Sequence, residues 1–393
     1  MNNISKLSND ILTIVCSDIH QYHTIFTLIQ TSKLFNHSLF TNMILHYYPY
    51  EHYINFKYIS KFRNITNIDI EYPYLKNMYD NPTEKYLKYL HTERCVKISK
   101  TMYLSNLPKI QFLNLCYTNI TSLNCLNNLH KLKYLSVKNC YDIRNFNGLS
   151  ILYNITTLDL QNTSITDISY FDKFTQLTNL NLESCNNITE FSPIFNLSQL
   201  KVLNLNYTSI DILPDFTNFT NLIELQLFSC FNIIYFHELC KLINIEILNL
   251  RNTWINDLYI LNSLTKLTNL NLESCININE FSPIFNLTQL KVLNLNSTSI
   301  NTLPDLTNFT NLIELQLFNC FNIIYFHELS KLINLEILNL NNTWINELDT
   351  LKSLKKLQFL SIFDYIMISD IDILTNNSNV IIHSNELIIL PIN

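Results

Sequence analysis

Residues 203–210 read LNLNYTSI, and residues 225–233 read LQLFSCFNI. Each stretch opens with two leucines that one polar residue separates, and three residues after the second leucine comes a small side chain, Thr208 or Cys230. The first stretch reaches an isoleucine two residues after the threonine, whereas the second reaches it three residues after the cysteine. The chain therefore contains two related sequence units, a Thr type and a longer Cys type.

The same apolar pair recurs along the chain at spacings that alternate between 22 and 23 residues. The small residues that follow the pairs alternate strictly between Thr and Cys, and we call them the Thr/Cys column: Thr118, Cys140, Thr163, Cys185, Thr208, Cys230, Thr253, Cys275, Thr298, Cys320 and Thr343. Residues 176–265 and 266–355 are identical at 73 of 90 positions. A block of four repeats was therefore duplicated recently.

Each apolar pair predicts a short strand, because alternate residues of a strand point to opposite faces. A single repeat cannot bury its own leucines, but stacked repeats close a continuous core around one parallel sheet. The return path holds only about 15 residues and often a proline, as at Pro193 and Pro214. That length favours short turns or 3₁₀ segments over full helices.

Over about four-fifths of the chain, this pattern resembles the leucine-rich repeat family. The resemblance implies an α/β solenoid, a horseshoe with a parallel sheet on its concave side and turns or 3₁₀ segments on its convex side. The double period extends back to Ile68 and Leu90, which predicts repeats over residues 65–379. We expect a linker over 49–64 and a C-terminal cap over 380–393.

The N-terminal segment, residues 1–48, has apolar spacing closer to that of helices, with Ser8 as a candidate cap. It resembles an F-box, whose helices dock on the Skp-type adaptor of SCF ubiquitin ligases. The positions that match the F-box pattern are Leu7, Asp10, Ile11, Leu12, Lys33 and Phe35. Ser8 replaces the proline of that pattern, and Thr31-Ser32 replaces its Val-Cys. The resemblance implies adaptor binding through Leu7, Ile11, Leu12, Lys33 and Phe35; the alternative is a helical cap on the first repeat.

Composition and charge argue against a nucleic-acid-binding protein and against a membrane protein. The net charge is −6, and no basic tract is present, which argues against nucleic-acid binding. Neither a signal peptide nor a membrane-spanning run is apparent, so we expect a cytoplasmic protein without a membrane partner. The chain has one glycine, no alanine and abundant Asn, Ile, Phe, Tyr and Lys. This skew matches the AT-rich codons of large DNA viruses and some protists, and a viral protein would act in the host cell cytoplasm.

No catalytic, cofactor or metal motif is apparent. With Gly148 as the only glycine, a glycine-rich nucleotide loop cannot be built. Lys241 and Lys331 stand where a zinc-protease motif needs its second histidine after His237-Glu238 and His327-Glu328. Cysteines of the Thr/Cys column recur every second repeat, about 10 Å apart, too far for disulfides. We expect them to be buried and reduced, and we expect no enzyme activity, cofactor or metal site.

The candidate partner site follows from the strand positions that point outward. The middle column is polar throughout, which fits either solvated filler or a binding role: Asn181, Asn204, Gln226, Asn249, Asn271, Asn294, Gln316 and Asn339. The flanking columns carry the candidate partner-binding residues Glu183, Glu224, Phe228, Arg251, Glu273, Glu314 and Phe318. Phenylalanine and arginine on a polar sheet indicate anchors for an unknown protein target. The pattern predicts no packing role for Phe228 or Phe318.

Two functions fit the sequence. The resemblance to F-box/leucine-rich-repeat proteins, as in large AT-rich DNA viruses of amoebae, implies the substrate-recruiting subunit of an SCF-type ubiquitin ligase. The alternative is a free-standing binding or inhibitory scaffold without a ubiquitin role. Adaptor binding by residues 1–48 distinguishes the two.

Overall fold

The structure, a computed structural model, describes residues 109–279, 281–345 and 348–362. Outside these ranges it describes only short strands, at 11–16, 42–47, 53–55, 67–70, 74–76, 89–91, 381–383 and 388–389. The chain divides into two compact units, Met1–Leu197 and Ser198–Asn393. Each unit is built on parallel strands.

The first unit contains ten described strands: β1 (Ile11–Cys16), β2 (Asn42–Tyr47), β3 (Tyr53–Asn55), β4 (Asn67–Ile70), β5 (Tyr74–Lys76), β6 (Tyr89–His91), β7 (Phe112–Asn114), β8 (Tyr134–Ser136), β9 (Thr157–Asp159) and β10 (Asn179–Asn181). Strands β1, β2, β4, β6, β7, β8, β9 and β10 pair in parallel in that order, while β3 pairs with β5. Ile68 faces Leu90, and Leu90 faces Leu113 across the sheet. The 22- and 23-residue spacing therefore continues back to β4.

Residues 11–16 and 42–47 are parallel strands, so the helical prediction for these two stretches of the segment 1–48 is wrong. Residues 11–16 read ILTIVC, and four of these six side chains are β-branched, which favours a strand over a helix. Ile11 and Leu12 lie in β1. The other adaptor-binding candidates, Leu7, Lys33 and Phe35, lie outside the described residues.

The second unit contains β11 (Val202–Asn204), β12 (Glu224–Gln226), β13 (Ile247–Asn249), β14 (Asn269–Asn271), β15 (Val292–Asn294), β16 (Glu314–Gln316), β17 (Ile337–Asn339), β18 (Phe359–Ser361), β19 (Ile381–His383) and β20 (Ile388–Ile389). Strands β11 to β19 pair in parallel, each with the next in the chain. Strand β20 pairs with β19 in the antiparallel direction. The direction therefore changes where the parallel series ends.

The return paths contain short 3₁₀ segments among the described residues, as predicted. In the first unit these are Asn124–Leu126, Asn147–Ile151, Phe171–Lys173 and Ser192–Asn196. In the second unit they are Phe216–Asn218, His237–Lys241, Tyr259–Leu261, Ser282–Ile284, His327–Lys331 and Leu348–Ser353. The leucine-rich-repeat solenoid fold is thereby confirmed, with the sheet on one side of each repeat and these segments on the other.

The core runs between the sheet and the 3₁₀ segments. One repeat of the second unit buries Leu203, Leu205, Ile210, Leu213, Phe216, Phe219 and Leu222. Burying each such side chain stabilises the fold by about 1.5–3 kcal/mol. Because neighbouring repeats cover these side chains, the core is continuous through the described repeats of each unit.

A left-handed residue turns the chain after each of the strands β7 to β17. Eleven consecutive repeats place a residue with φ between 53° and 61° directly before the Thr/Cys column: Tyr117, Asn139, Asn162, Ser184, Tyr207, Ser229, Asn252, Ser274, Ser297, Asn319 and Asn342. None of them is glycine, although a left-handed non-glycine residue costs about 1–2 kcal/mol. Asparagine tolerates this region best, which explains its frequency here.

Gly148, the only glycine, has a different role. It lies in the 3₁₀ segment Asn147–Ile151, where a Cβ atom would come within 1.8 Å of the carbonyl oxygen of Leu123. A side chain of any size would therefore push two neighbouring repeats apart. Within the described residues, no helix is long and apolar enough to cross a membrane.

Candidate functional site

The Thr/Cys column lies beneath the edge of the sheet and is structural. Thr208 Oγ1 donates to the Leu205 carbonyl at 2.6 Å, and the Cys230 thiol of the next repeat donates to the same carbonyl at 3.0 Å. The equivalent pairs share the carbonyls of Leu115, Leu160, Leu250 and Leu295. One carbonyl thus serves one repeat of each type, which gives the strict alternation of Thr and Cys a physical reason.

The cysteines of this column are free thiols with fully buried side chains, as predicted. Burial raises the pKa of Cys185 and of Cys230 to about 11, and hydrogen bonds with Thr163 and Thr208, respectively, offset part of this rise. Removal of the thiol from water disfavours the charged thiolate. These thiols are therefore neutral hydrogen-bond donors and are poor nucleophiles.

The asparagines of the middle column accept hydrogen bonds from the backbone at the ends of the strands. Asn204 Oδ1 accepts a hydrogen bond from the backbone N–H of Asn206 at 3.0 Å, two residues along the chain. The same contact is made by Asn114, Asn181, Asn249, Asn271, Asn294 and Asn339. It satisfies a backbone donor where the strand turns away from its neighbour. The interpretation of this column as solvated filler is therefore wrong.

Where the middle column has glutamine, the pattern changes. The backbone N–H of Phe228 instead donates at 2.7 Å to Asn206 Oδ1 of the preceding repeat. The duplicated copy repeats this contact between Phe318 and Asn296, also at 2.7 Å. The longer side chains of Gln226 and Gln316 reach the glutamates of their own strands. Each phenylalanine is therefore held in place by a side chain from the repeat before it.

Phe228 is the centre of a cluster on the outward face of the sheet in the second unit. Its ring packs edge-on against Tyr207, with centroids 4.5 Å apart and an interplanar angle of 65°. On the other side, Arg251 Cζ lies 4.7 Å from the ring centroid. Phe228 is half-buried, so the prediction that it has no packing role is wrong. These neighbours, one on the preceding repeat and one on the following repeat, hold the ring in one orientation.

Arg251 links this cluster to the next repeat. Its Nη2 lies 2.9 Å from Glu273 Oε1, and Glu273 Oε2 accepts from Asn294 Nδ2 at 3.2 Å. Because Arg251 is fixed by a carboxylate and an aromatic ring, little side-chain freedom remains to be lost on binding. We call Tyr207, Phe228, Arg251 and Glu273 the sheet-face cluster.

The structure thus brings together three of the predicted partner-binding residues, Phe228, Arg251 and Glu273. Glu183 belongs to the first unit, where its Oε1 accepts from Gln161 Nε2 at 3.0 Å. The remaining three lie elsewhere on the sheet face of the second unit: Glu224, Glu314 and Phe318.

Tyr207 was missed because it occupies the left-handed position, which pattern analysis treats as part of a turn. A signal existed nonetheless. Among the few differences between the duplicated blocks, Ser297 stands in place of Tyr207, and Asn341 stands in place of Arg251. Both neighbours of Phe228 thus differ in the second copy, whereas the phenylalanine itself is repeated. Phe318 is therefore a built-in control for Phe228.

The charge on this face is sparse and mainly negative. On the outward strand positions of the second unit, from 202–207 through 337–342, the charged residues are Glu224, Glu273, Glu314 and Arg251. Arg251 is paired with Glu273. Among the residues that the structure describes, no group of three or more His, Cys, Asp or Glu side chains could hold a metal ion. The groups on this surface that a partner could contact are aromatic rings, the guanidinium of Arg251 and the glutamate carboxylates.

Comparisons with known proteins agree with this architecture. A family model described as leucine-rich repeats (2 copies) matches residues 153–196. A search of curated proteins found no match. These findings, with the structures below, support the leucine-rich repeat assignment.

Three solved structures illustrate the likeness. An internalin, InlF from Listeria monocytogenes, is 23% identical with a TM-score of 0.70, covering 89% of this chain and 96% of its own. TLR13 in its complex with ssRNA13 is 17% identical with a TM-score of 0.62, covering 95% and 67%. The plant peptide hormone receptor RGFR1 in complex with RGF2 is 15% identical with a TM-score of 0.53, covering 86% and 57%. At these identities the likeness shows the fold alone.

Proposed function

We propose that this chain is a protein-binding scaffold and that its partner docks on the sheet-face cluster. The observation that carries the proposal is the fixed stack of Tyr207, Phe228 and Arg251 on an otherwise polar sheet. Tyrosine and arginine are among the residue types enriched at binding hot spots, and phenylalanine is enriched at interfaces. A surface that holds all three in one arrangement before binding loses little entropy when a partner arrives.

Charge favours a protein partner over a nucleic acid. The fold accommodates either class, since TLR13 is found with ssRNA13 and RGFR1 with RGF2. Here the sheet face carries Glu224, Glu273 and Glu314 and no lysine at the outward strand positions. Binding to phosphate backbones depends on clustered Lys and Arg. The carboxylates instead favour a partner with Lys or Arg at the rim of its apolar contact.

A selection experiment tests this proposal. The intact chain is immobilised, peptides are selected on it from a displayed random library, and each enriched peptide is then titrated against the wild-type chain and the Phe228→Ser variant. We expect enrichment of peptides with apolar residues beside Lys or Arg. Recovery of peptides that bind the Phe228→Ser variant as tightly as the wild-type chain would remove the cluster as the site.

A second candidate is substrate recruitment to an SCF-type ubiquitin ligase in the cytoplasm. It is favoured by the F-box resemblance at Leu7, Ile11, Leu12, Lys33 and Phe35. The strand that contains Ile11 and Leu12 weighs against it, because the F-box is helical. In this case residues 1–48 bind the Skp-type adaptor and the sheet-face cluster binds the target.

A titration of a purified Skp-type adaptor with the full chain distinguishes the two candidates. If the second candidate holds, the adaptor binds the wild-type chain, and the double change Ile11→Asp and Leu12→Asp abolishes binding. The Phe228→Ser variant is the matched control and retains adaptor binding. If the wild-type chain does not bind the adaptor, the ubiquitin-ligase candidate is excluded and the binding-scaffold candidate remains.

A further inference from the structure

The edge of the second unit beyond the Thr/Cys column carries large apolar side chains in water. Phe231, Trp254 and Ile276 directly follow three successive members of the column, and all are exposed. Phe231 lies in the turn that follows the buried Cys230, and Trp254 lies between the buried residues Thr253 and Ile255. Their ring centroids lie 6.5 Å apart.

Two further exposed side chains, Ile234 and Tyr235, widen this strip within the Phe231 repeat. We call Phe231, Ile234, Tyr235, Trp254 and Ile276 the aromatic edge. Single exposed apolar residues are ordinary, but five large exposed ones on three successive repeats are typical of an interaction surface. The aromatic edge is separate from the sheet-face cluster, because its residues follow the Thr/Cys column while those of the cluster precede it.

The duplication gives the unit a second copy of this strip: Phe321, Ile324, Tyr325 and Trp344, all exposed. The copies are four repeats apart, which corresponds to about 19 Å at the usual strand spacing. An extended segment of about six residues spans that distance. One polypeptide can therefore contact both copies.

The charges around the aromatic edge are of one sign. The loop segments that follow the Thr/Cys column, residues 209–212, 231–235, 254–257, 276–279, 299–302 and 321–325, contain neither Lys nor Arg. Their charged residues are Asp211 and Asp257, both exposed. Carboxylates beside an apolar strip attract cationic side chains and repel anionic lipid and nucleic acid.

We propose that the aromatic edge is a second docking surface of the second unit and that it binds a polypeptide segment in which apolar side chains alternate with Lys or Arg. The apolar side chains cover Phe231, Trp254 and their duplicated counterparts. The basic side chains lie beside Asp211 and Asp257. The scaffold then holds two partners at once, one on the sheet face and one on this edge.

The chain contains two tryptophans, Trp254 and Trp344, and both lie on this surface. Intrinsic tryptophan fluorescence therefore reports on the aromatic edge and its copy alone. The probe is a peptide in which Leu and Lys alternate, and a peptide with Glu in place of Lys is its matched control. We expect the Lys peptide to shift tryptophan emission of the full chain to shorter wavelength, with the Glu peptide binding at least about tenfold more weakly.

Variants that keep both Trp254 and Trp344 show which residues of the aromatic edge bind the Lys peptide. Changing Phe231 and Phe321 to Ser weakens binding of the Lys peptide by at least about tenfold, as does the second pair Tyr235→Ser and Tyr325→Ser. The Phe228→Ser variant binds the Lys peptide as tightly as the wild-type chain. The experiment therefore tests the aromatic edge independently of the sheet-face cluster. No emission shift with the Lys peptide, or an equal shift with the Glu peptide, overturns the proposal. An emission shift that depends on chain concentration without peptide would indicate that a second copy of the chain binds the aromatic edge, and this also overturns the proposal. An emission shift produced by anionic vesicles overturns it as well.

Discussion

The guanidinium carbon of Arg251 lies 4.7 Å from the centroid of the Phe228 ring, so a cation and an aromatic ring from adjacent repeats are in direct contact. The contact is half exposed to water, where such pairs contribute about 0.5–1 kcal/mol. Glu273 holds the cation in this position. The sheet-face cluster is therefore ordered before any partner binds, and its order is measurable in the free protein.

A double-mutant cycle measures this contact. We expect the changes Phe228→Ala and Arg251→Ala to be coupled by about 0.5–1 kcal/mol in the free energy of unfolding by urea. The matched cycle with Phe318→Ala and Asn341→Ala, at the same positions of the duplicated block, has no cation and gives less coupling. Zero coupling between Phe228 and Arg251, or equal coupling in both cycles, would show that the cation of Arg251 adds nothing to the stability of this contact.

The shared carbonyl of Leu205 predicts the effect of removing one donor. Thr208→Val keeps the shape of the side chain but loses the hydrogen bond at 2.6 Å, and we expect the free energy of unfolding to fall by about 1 kcal/mol. Thr208→Ser keeps the hydroxyl and serves as the control for that bond. A Val variant more stable than the wild type would contradict the structural role of the threonines in this column.

Thiol accessibility tests the burial of the cysteines. Cys240 is exposed, whereas Cys185, Cys230, Cys275 and Cys320 are buried. In the native chain, iodoacetamide is expected to modify Cys240 within minutes and the other four only after unfolding, as read by peptide mass spectrometry. Rapid native labelling of the four would show that the repeats do not stack as described.

The raised thiol pKa also predicts a pH dependence of stability. Burial raises the pKa of Cys185 and Cys230 from 9.0 to about 11, so folding favours their protonated form. This contribution is present in full below pH 9 and is lost as the pH rises from 9 towards 11. Urea unfolding at a series of pH values is expected to show a smaller loss over this window for a Cys185→Ala and Cys230→Ala variant than for the wild type. Identical slopes would contradict the assignment.

We expect the change Gly148→Ala to lower the free energy of unfolding, although replacing glycine by alanine often raises it. Replacing glycine by alanine within a short helix ordinarily stabilises, but the Cβ of Gly148→Ala would overlap the Leu123 carbonyl. We expect the unfolding free energy to fall by about 2 kcal/mol or more. Ser150→Ala in the same 3₁₀ segment is the control, and a Gly148→Ala variant of wild-type stability would disprove the close approach.

The repeat architecture could be predicted from sequence because it rests on periodicity. The leucines of each strand, the isoleucine after it and the 22/23 alternation recur often enough that no single exception matters. The N-terminal strand β1 could not be predicted in this way, because the stretch that contains Ile11 follows no repeat template. There, local β-branched content decided the structure rather than the spacing.

The candidate site was predictable in part. Phe228 and Arg251 stand out as unusual residue types in polar columns, and the alternation of strand residues places them outward. Tyr207 does not stand out, since its side chain reaches the cluster only because a left-handed backbone turns it back over the sheet. The structural role of Asn204 was likewise hidden, because a hydrogen bond to its own strand end looks in sequence like a solvated surface.

Calorimetric titration of one selected peptide into the wild-type chain, the Phe228→Ser variant and the Phe318→Ser variant tests whether a partner binds the sheet-face cluster. We expect the Phe228→Ser variant to bind the peptide more weakly than the wild-type chain by at least about 2 kcal/mol. In the duplicated block, Ser297 and Asn341 stand in place of Tyr207 and Arg251, so we expect Phe318→Ser to change the binding free energy by less than about 0.5 kcal/mol. Equal losses in the two variants, or no loss in either, would contradict binding at the sheet-face cluster.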